Sequence, residues 1–178
     1  MARPRKDAEG PGARERIMEA FWQLIAHEPY AAITIRGLCA AAQVNPNTFY
    51  RYFTCMDDLA KQAFDENLAE GFPHLLMGLR GAGDVTRFNR MRLYAQNGSD
   101  FLLGILRRAW VDAWLAEAGK TPDELTREQR IDLLMVAGAE MALASLSDQE
   151  CTLEDFVAVL DRPLGQTMLA TLEGIAAR

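Results

Sequence analysis

The sequence predicts an all-α protein, on three observations. Apolar residues recur at three- and four-residue spacing over most of its length. Helix-start residues stand just ahead of those stretches: Thr34, Asn45 with Pro46, Thr54, Ser99, Thr126 and Thr152. No stretch carries the strict alternation of a half-buried strand, and no tract is repeated or of low complexity. At 178 residues the chain has length enough for a core that needs no cross-links. Its 49% apolar and 25% charged residues are ordinary for a globular protein.

Met1 to Gly12 is charged and rich in Gly and Pro, with Arg3, Arg5 and Lys6 forming a small basic arm. It has no apolar stretch of the kind a secretory leader carries. Such an arm enters a minor groove or lies along phosphates in some proteins, and is a solubilising tail in others. Ala13 to Ala26 is an amphipathic helix with Ile17, Ala20, Phe21, Leu24 and Ile25 on one face, stopped by Pro29. His27 at its end suits the helix dipole better than chemistry.

Thr34 caps a second helix, with Ile33 and Leu38 at the staple positions and Leu38, Ala41 and Ala42 on its apolar face. The chain turns near Gln43. Asn45 caps a third helix, and Pro46 in its first position gives up an N–H that has no helical partner anyway. Val44 and Phe49 form its staple, and Phe49 and Phe53 share the face that packs inward. The three helices make a head with a helix-turn-helix. Asn47, Thr48, Tyr50, Arg51 and Tyr52 are left pointing outward or sideways. Amide, hydroxyl, phenol and guanidinium groups are what reading base edges and phosphates requires.

Thr54 is expected to cap the next helix, with Asp57 closing a capping box and Leu59, Ala63, Phe64 and Leu68 as its stripe. Gly71 and Pro73 interrupt the chain, Phe72 to Leu79 is a short apolar segment, and Gly81 to Gly83 is a loop. Further helices are expected at Val85 to Gln96, at Asp100 to about Ala118 behind Ser99, and from Thr126 to about Leu146 with Gln129 completing a capping box. Thr152 starts another helix, which Pro163 kinks or restarts before Leu164 to Ala176.

The stretch from about Ala13 to Leu68 resembles the helix-turn-helix region of the TetR family of transcriptional regulators. The residues that carry the resemblance are Thr34, Arg36, Leu38, Cys39, Ala42 and Val44, then Thr48, Phe49, Tyr50 and Phe53. It implies about nine helices: a DNA-binding head over residues 1–53 and a helical effector-binding and dimerisation domain over 54–178. It further implies that Arg36 and Arg51 contact bases, that Thr34, Tyr50 and Tyr52 hold phosphates, and that Asn45, Asn47, Thr48 and Thr54 complete the surface, with Arg3, Arg5 and Lys6 as the arm. The chain departs from the family pattern at Met56, where a phosphate-holding Lys is common, and at Gln43, where Gly is common.

Residues 126–146 have a face of small side chains, so a partner helix can approach closely. Together with the last helix, two copies could build a four-helix bundle. The resemblance places a homodimer interface there, on Met135, Gly138, Met141, Ala142, Ser145, Leu164, Met168 and Leu172. Internal core is the competing assignment. Between the two regions lie Phe72, Met77, Phe88, Met91, Tyr94, Phe101, Trp110 and Trp114, where the family binds a small apolar effector. Met adapts its shape and Trp offers a flat wall, although such a stripe also serves as plain core. Arg87, Arg90 and Arg92 are either a solvated face or a grip for an anionic group.

The net charge of −6 is unevenly spread. Residues 1–53 hold seven Lys/Arg against five Asp/Glu, and residues 54–178 hold twelve against twenty. A mildly basic head on an acidic body lets the head alone approach phosphates. Three cysteines, Cys39, Cys55 and Cys151, have no metal-ligand spacing and read as reduced cytosolic thiols. No run approaches the roughly 18 apolar residues of a membrane span. With His27 and His74 as the only histidines, no Gly-rich phosphate loop and no nucleophile motif, neither an enzyme nor a cofactor is expected. The expected protein is therefore a cytoplasmic, DNA-binding regulator: a ligand-responsive repressor acting as a homodimer on a palindromic double-stranded operator. The alternatives are a constitutive regulator without effector and, more distantly, a helical enzyme or interaction scaffold.

Overall fold

The computed structural model describes residues 12–69, 85–146, 158 and 161–177. Among them are eight α-helices and no strand, close to the expected nine helices. The basic arm, the segment 72–79, the loop at 81–83, Asp84, Cys151 and the start at Thr152 lie outside the described residues. The chain divides into two compact units, one ending at Ala60 and one beginning at Lys61.

In the first unit α1 is Ala13–Ile25, α2 is Ile35–Ala41 and α3 is Pro46–Phe49. The three pack on one another in every pairing. Ile17, Phe21, Ile25, Leu38, Phe49, Phe53 and Leu59 are fully enclosed. These are the apolar positions that the helical spacing selects, and burying each one fully is worth about 1.5–3 kcal/mol. A short 3-10 turn, Tyr30–Ala32, brings Tyr30 edge-on to Phe21, with ring centroids 6.4 Å apart. The Tyr30 hydroxyl donates to Asp57 at 2.5 Å. Burial, then this bond to a carboxylate, pushes the phenol well above its ordinary range.

One cap differs from expectation. Asp57 was expected to close the capping box with Thr54. Helix α4 (Met56–Phe64) instead takes its first backbone bond from Cys55, so its third residue is Asp58. Asp58 accepts from the Thr54 backbone at 2.7 Å and from its hydroxyl at 3.1 Å. Thr54 is thus held by Asp58, one residue on, while Asp57 meets Tyr30. After Phe64 the helix widens into a π turn, Asp65–Ala69. The Asn67 amide donates to the Ala63 carbonyl at 2.9 Å, and Arg90 donates to Asn67 at 2.6 Å. Of the three arginines near residue 90, Arg90 is thus tied into the framework.

In the second unit α5 is Val85–Gln96, α6 is Asp100–Glu117, α7 is Arg127–Leu146 and α8 is Pro163–Ala176. Helix α7 packs on α5, α6 and α8, and α5 also meets α6 and the π turn. Ser99 caps α6 by accepting from Leu102. Thr126 and Gln129 form the expected reciprocal box ahead of α7, at 2.9 and 3.2 Å. Gly119 ends α6 with a left-handed φ of 62°. Pro163 is the first residue of α8, where its missing N–H has no helical partner to lose. No helix of the described residues is long and apolar enough to cross a membrane. Nor do the described residues hold a group of His, Cys, Asp or Glu that could take a metal ion.

Candidate nucleic-acid interface

The turn between α2 and α3 is built from backbone bonds. Val44 N–H donates to Cys39 at 2.9 Å and Gln43 N–H to Ala40 at 3.2 Å. This pair is a Schellman ending, which needs a left-handed residue at the position after the cap. Gln43 fills it, with φ of 54°. A side chain there costs roughly 1 kcal/mol relative to Gly. A side-chain contact holds the turn regardless: the Arg16 guanidinium donates to the Ala42 carbonyl at 3.2 Å. Gln43→Gly is therefore expected to raise stability by up to about 1 kcal/mol, read as a higher denaturant midpoint with unchanged slope. A lower midpoint would show that the turn is not strained.

The caps lie where the sequence puts them. Thr34 accepts from Gly37 N–H at 3.1 Å. Asn45 accepts from Thr48 N–H at 2.9 Å and from the Thr48 hydroxyl at 3.3 Å. Helix α3 is regular over four residues only, and turns at Tyr50, Arg51 and Tyr52 carry it on. Phe49 and Phe53 pin it from below with ring centroids 5.5 Å apart, and the Arg14 guanidinium lies 5.6 Å over Phe53.

This inward anchoring fixes what faces out. Thr34, Arg36, Asn45, Asn47, Arg51 and Thr54 are exposed, and Thr48 is half-buried. Tyr50 is 58% exposed and Tyr52 39%, high values for large rings on a folded surface. Tyr50 stands edge-on against Phe49 at 5.4 Å, so its hydroxyl is directed by a packed ring. Neither Arg36 nor Arg51 makes a hydrogen bond or ion pair among the described residues. Such a surface supplies two free guanidiniums, two phenols, amides and hydroxyls, on a rigid base. Met56, in the first turn of α4, is half-buried and brings no cation to it.

The other predicted residues divide. Phe88, Met91, Tyr94 and Trp110 are wholly enclosed among α5, α6 and their neighbours, and Phe64 packs on Tyr94 at 5.9 Å. Trp114 lines a small apolar cavity of about 100 Å³ with Leu133, Leu169, Leu172 and Ile175. Phe101, 38% exposed, lines an open groove of about 760 Å³. Phe72 and Met77 lie outside the described residues. Of the expected dimer face, Met135 is 69% and Leu164 64% exposed. Gly138 and Ala142 are exposed, Met141 and Met168 half-buried, and Leu172 is buried within its own chain. The Ser145 side chain is not among the described ones. Sequence reasoning missed the groove's charged lining, because α4 and α6 supply it jointly from positions some 40 residues apart.

Residues 17–63 match the family model described as "Bacterial regulatory proteins, tetR family". No curated protein sequence matches the chain. Among solved structures, "Dihydroxyacetone kinase operon activator DhaS" is similar with a TM-score of 0.55 at 17% identity, over 92% of this chain and 97% of that one. A "TetR-family transcriptional regulator from Streptomyces coelicolor" is similar with a TM-score of 0.51 at 19% identity, over 92% and 99%. Those two likenesses extend the shared fold beyond the head to nearly the whole chain. Across the helix-turn-helix described above, residues 17–63 are thus a DNA-binding region of the kind found in the tetR family of bacterial regulatory proteins.

Proposed function

We propose that the chain is an effector-responsive repressor that binds a palindromic operator as a homodimer. The observation that carries this reading is the pair of exposed, unpartnered guanidiniums of Arg36 and Arg51 on a surface pinned by Phe49 and Phe53. Arg51 from the turn after α3 and Arg36 from α2 take guanine O6 and N7, and Asn47 and Thr48 meet neighbouring base edges. Thr34, Tyr50, Tyr52 and Thr54 hold phosphates and fix the register, with Asn45 setting the start of α3. Arg3, Arg5 and Lys6 add sequence-independent attraction.

One such head covers only a few base pairs, so specificity needs two, about 34 Å apart on one face of the duplex. The pairing surface we propose is the exposed apolar stripe of α7: Ile131, Leu134 and Met135 are 47%, 50% and 69% exposed. Gly138 and Ala142 continue it at helical spacing, and Leu164 and Met168 supply the facing row on α8. Contiguous apolar surface of this kind marks an interaction site. Effector binding in the second unit would favour one spacing of the heads over another, which shifts affinity by differential binding. One of the similar structures is that of an operon activator, so the direction of control is the second reading. Purified protein should recover a small set of fragments from genomic DNA. A reporter driven by those fragments should rise when the gene is deleted; a fall would make the protein an activator. Uniform recovery of all fragments would remove the regulator reading.

A further inference from the structure

We propose that the open groove between the end of α4 and the outer face of α6 is a binding site for a bulky organic cation. The proposal rests on the effector-responsive reading above and names the class of ligand. The groove measures about 760 Å³, within the size range of small-molecule sites. Its floor is apolar: Phe64 at the end of α4, with Phe101 and Ile105 on α6. Phe101 is 38% exposed, so an aromatic ring already stands in contact with solvent there. An apolar or aromatic body placed on this floor would remove that surface from water.

The charged lining sets the sign of the ligand. It carries three carboxylates, Asp65, Asp100 and Asp112, against two cations, Lys61 and Arg108. Lys61 is taken up by Asp65, at 2.5 Å. Asp100, Asp112 and Arg108 form no ion pair among the described residues, so the unmatched charge is one negative. Beside apolar walls the field of those carboxylates is less screened than in open water. A cation held over Phe101 gains further from the ring face. A carboxylate or phosphate ligand would meet the same groove at a loss. Asp65 is also the first residue of the π turn, so an occupant touches α4 where its helical register changes.

Space in the groove depends on Gly104. A Cβ added there meets nothing within 4 Å, so a larger residue has room to enter the groove at that point. The test is calorimetric titration of the full, DNA-free chain with tetraphenylphosphonium and tetraphenylborate, ions of the same shape and opposite charge. The phosphonium should bind at least about tenfold more tightly than the borate, and Asp100→Asn with Asp112→Asn together should weaken it by about tenfold. Arg108→Gln should tighten it. Gly104→Leu should abolish it while leaving the melting temperature unchanged or higher, since Gly is the poorer helix former. Equal binding of the two ions, or phosphonium binding undiminished by Gly104→Leu, would overturn the proposal. So would no binding of either ion to a chain that still selects operator DNA, and the regulator reading would then stand alone. A chain that binds the cation but selects no DNA would have the opposite meaning.

Discussion

Arg51→Ala is expected to erase sequence preference at one position of each half-site while leaving the fold intact. A bidentate arginine–guanine contact is worth about 1–3 kcal/mol of discrimination, and a symmetric dimer makes it twice. Operator affinity should therefore fall by at least tenfold, on the scale where about 1.4 kcal/mol is a factor of ten. Affinity for unrelated duplex should fall much less. Arg51 is exposed and its side chain makes no hydrogen bond or ion pair among the described residues, so the melting temperature should not move. Removing the Tyr50 hydroxyl should behave differently. Its ring packs edge-on to Phe49 and its proposed partner is a phosphate, so Tyr50→Phe should weaken all duplexes about equally. Gel shifts with cognate and scrambled duplexes at one fixed salt concentration separate the two patterns. An Arg51→Ala protein that keeps its full preference would remove α3 from the reading surface.

The second large effect is expected from Leu134→Asp combined with Met135→Asp. Both side chains are at least half exposed in the single chain, so the protomer should fold as before, with unchanged circular dichroism. On a paired α7 and α8 surface the two changes place four carboxylates in a desolvated apolar contact, which breaks association. Sedimentation should then report 19.8 kDa in place of about twice that mass. Operator binding should drop by about 100-fold or more, because two linked heads act at a high effective concentration and two separate heads do not. Leu172→Asp is the contrasting change. Leu172 is buried within its own chain beside Trp114 and Leu133, so it should destabilise the protomer itself. If the double variant sediments as a dimer, the stripe through Met135 is not the interface.

These contrasts show which parts of the molecule can be read from the chain and which cannot. The helix-turn-helix was legible because it is local. Thr34, Asn45 and Pro46 act within one turn of where they stand, and the Phe49–Phe53 spacing decides which side of α3 faces in. Thr54 pairs with Asp58 in place of Asp57, whose carboxylate meets a partner no local pattern reveals: Tyr30, 27 residues upstream. Leu172 and Met135 illustrate a different limit. Both are apolar residues on helices with apolar residues on several sides, so periodicity cannot say which side meets the chain's own core and which meets solvent. The groove is the extreme case. Lys61 and Asp112 share no periodicity, and only the packing of the second unit brings them to one cleft.

The backbone at Gln43 shows how a departure from a family pattern can be absorbed. The Schellman bonds and the Arg16 guanidinium hold the left-handed turn although its residue is not the one such turns favour. The reading surface thus keeps its geometry at a modest cost in stability, which fits the wider observation that strain gathers where function fixes the backbone.

The most direct test of the central claim is selection of bound sequences from a random duplex pool, run in parallel for the native chain and for Arg51→Ala. The native chain should enrich a two-fold symmetric sequence whose half-sites lie about one helical turn, or a multiple of it, apart. The variant should lose preference at one symmetric pair of guanines and keep the rest. Enrichment of no common sequence by the native chain, or of an identical sequence by both proteins, would contradict the assignment of this surface to DNA.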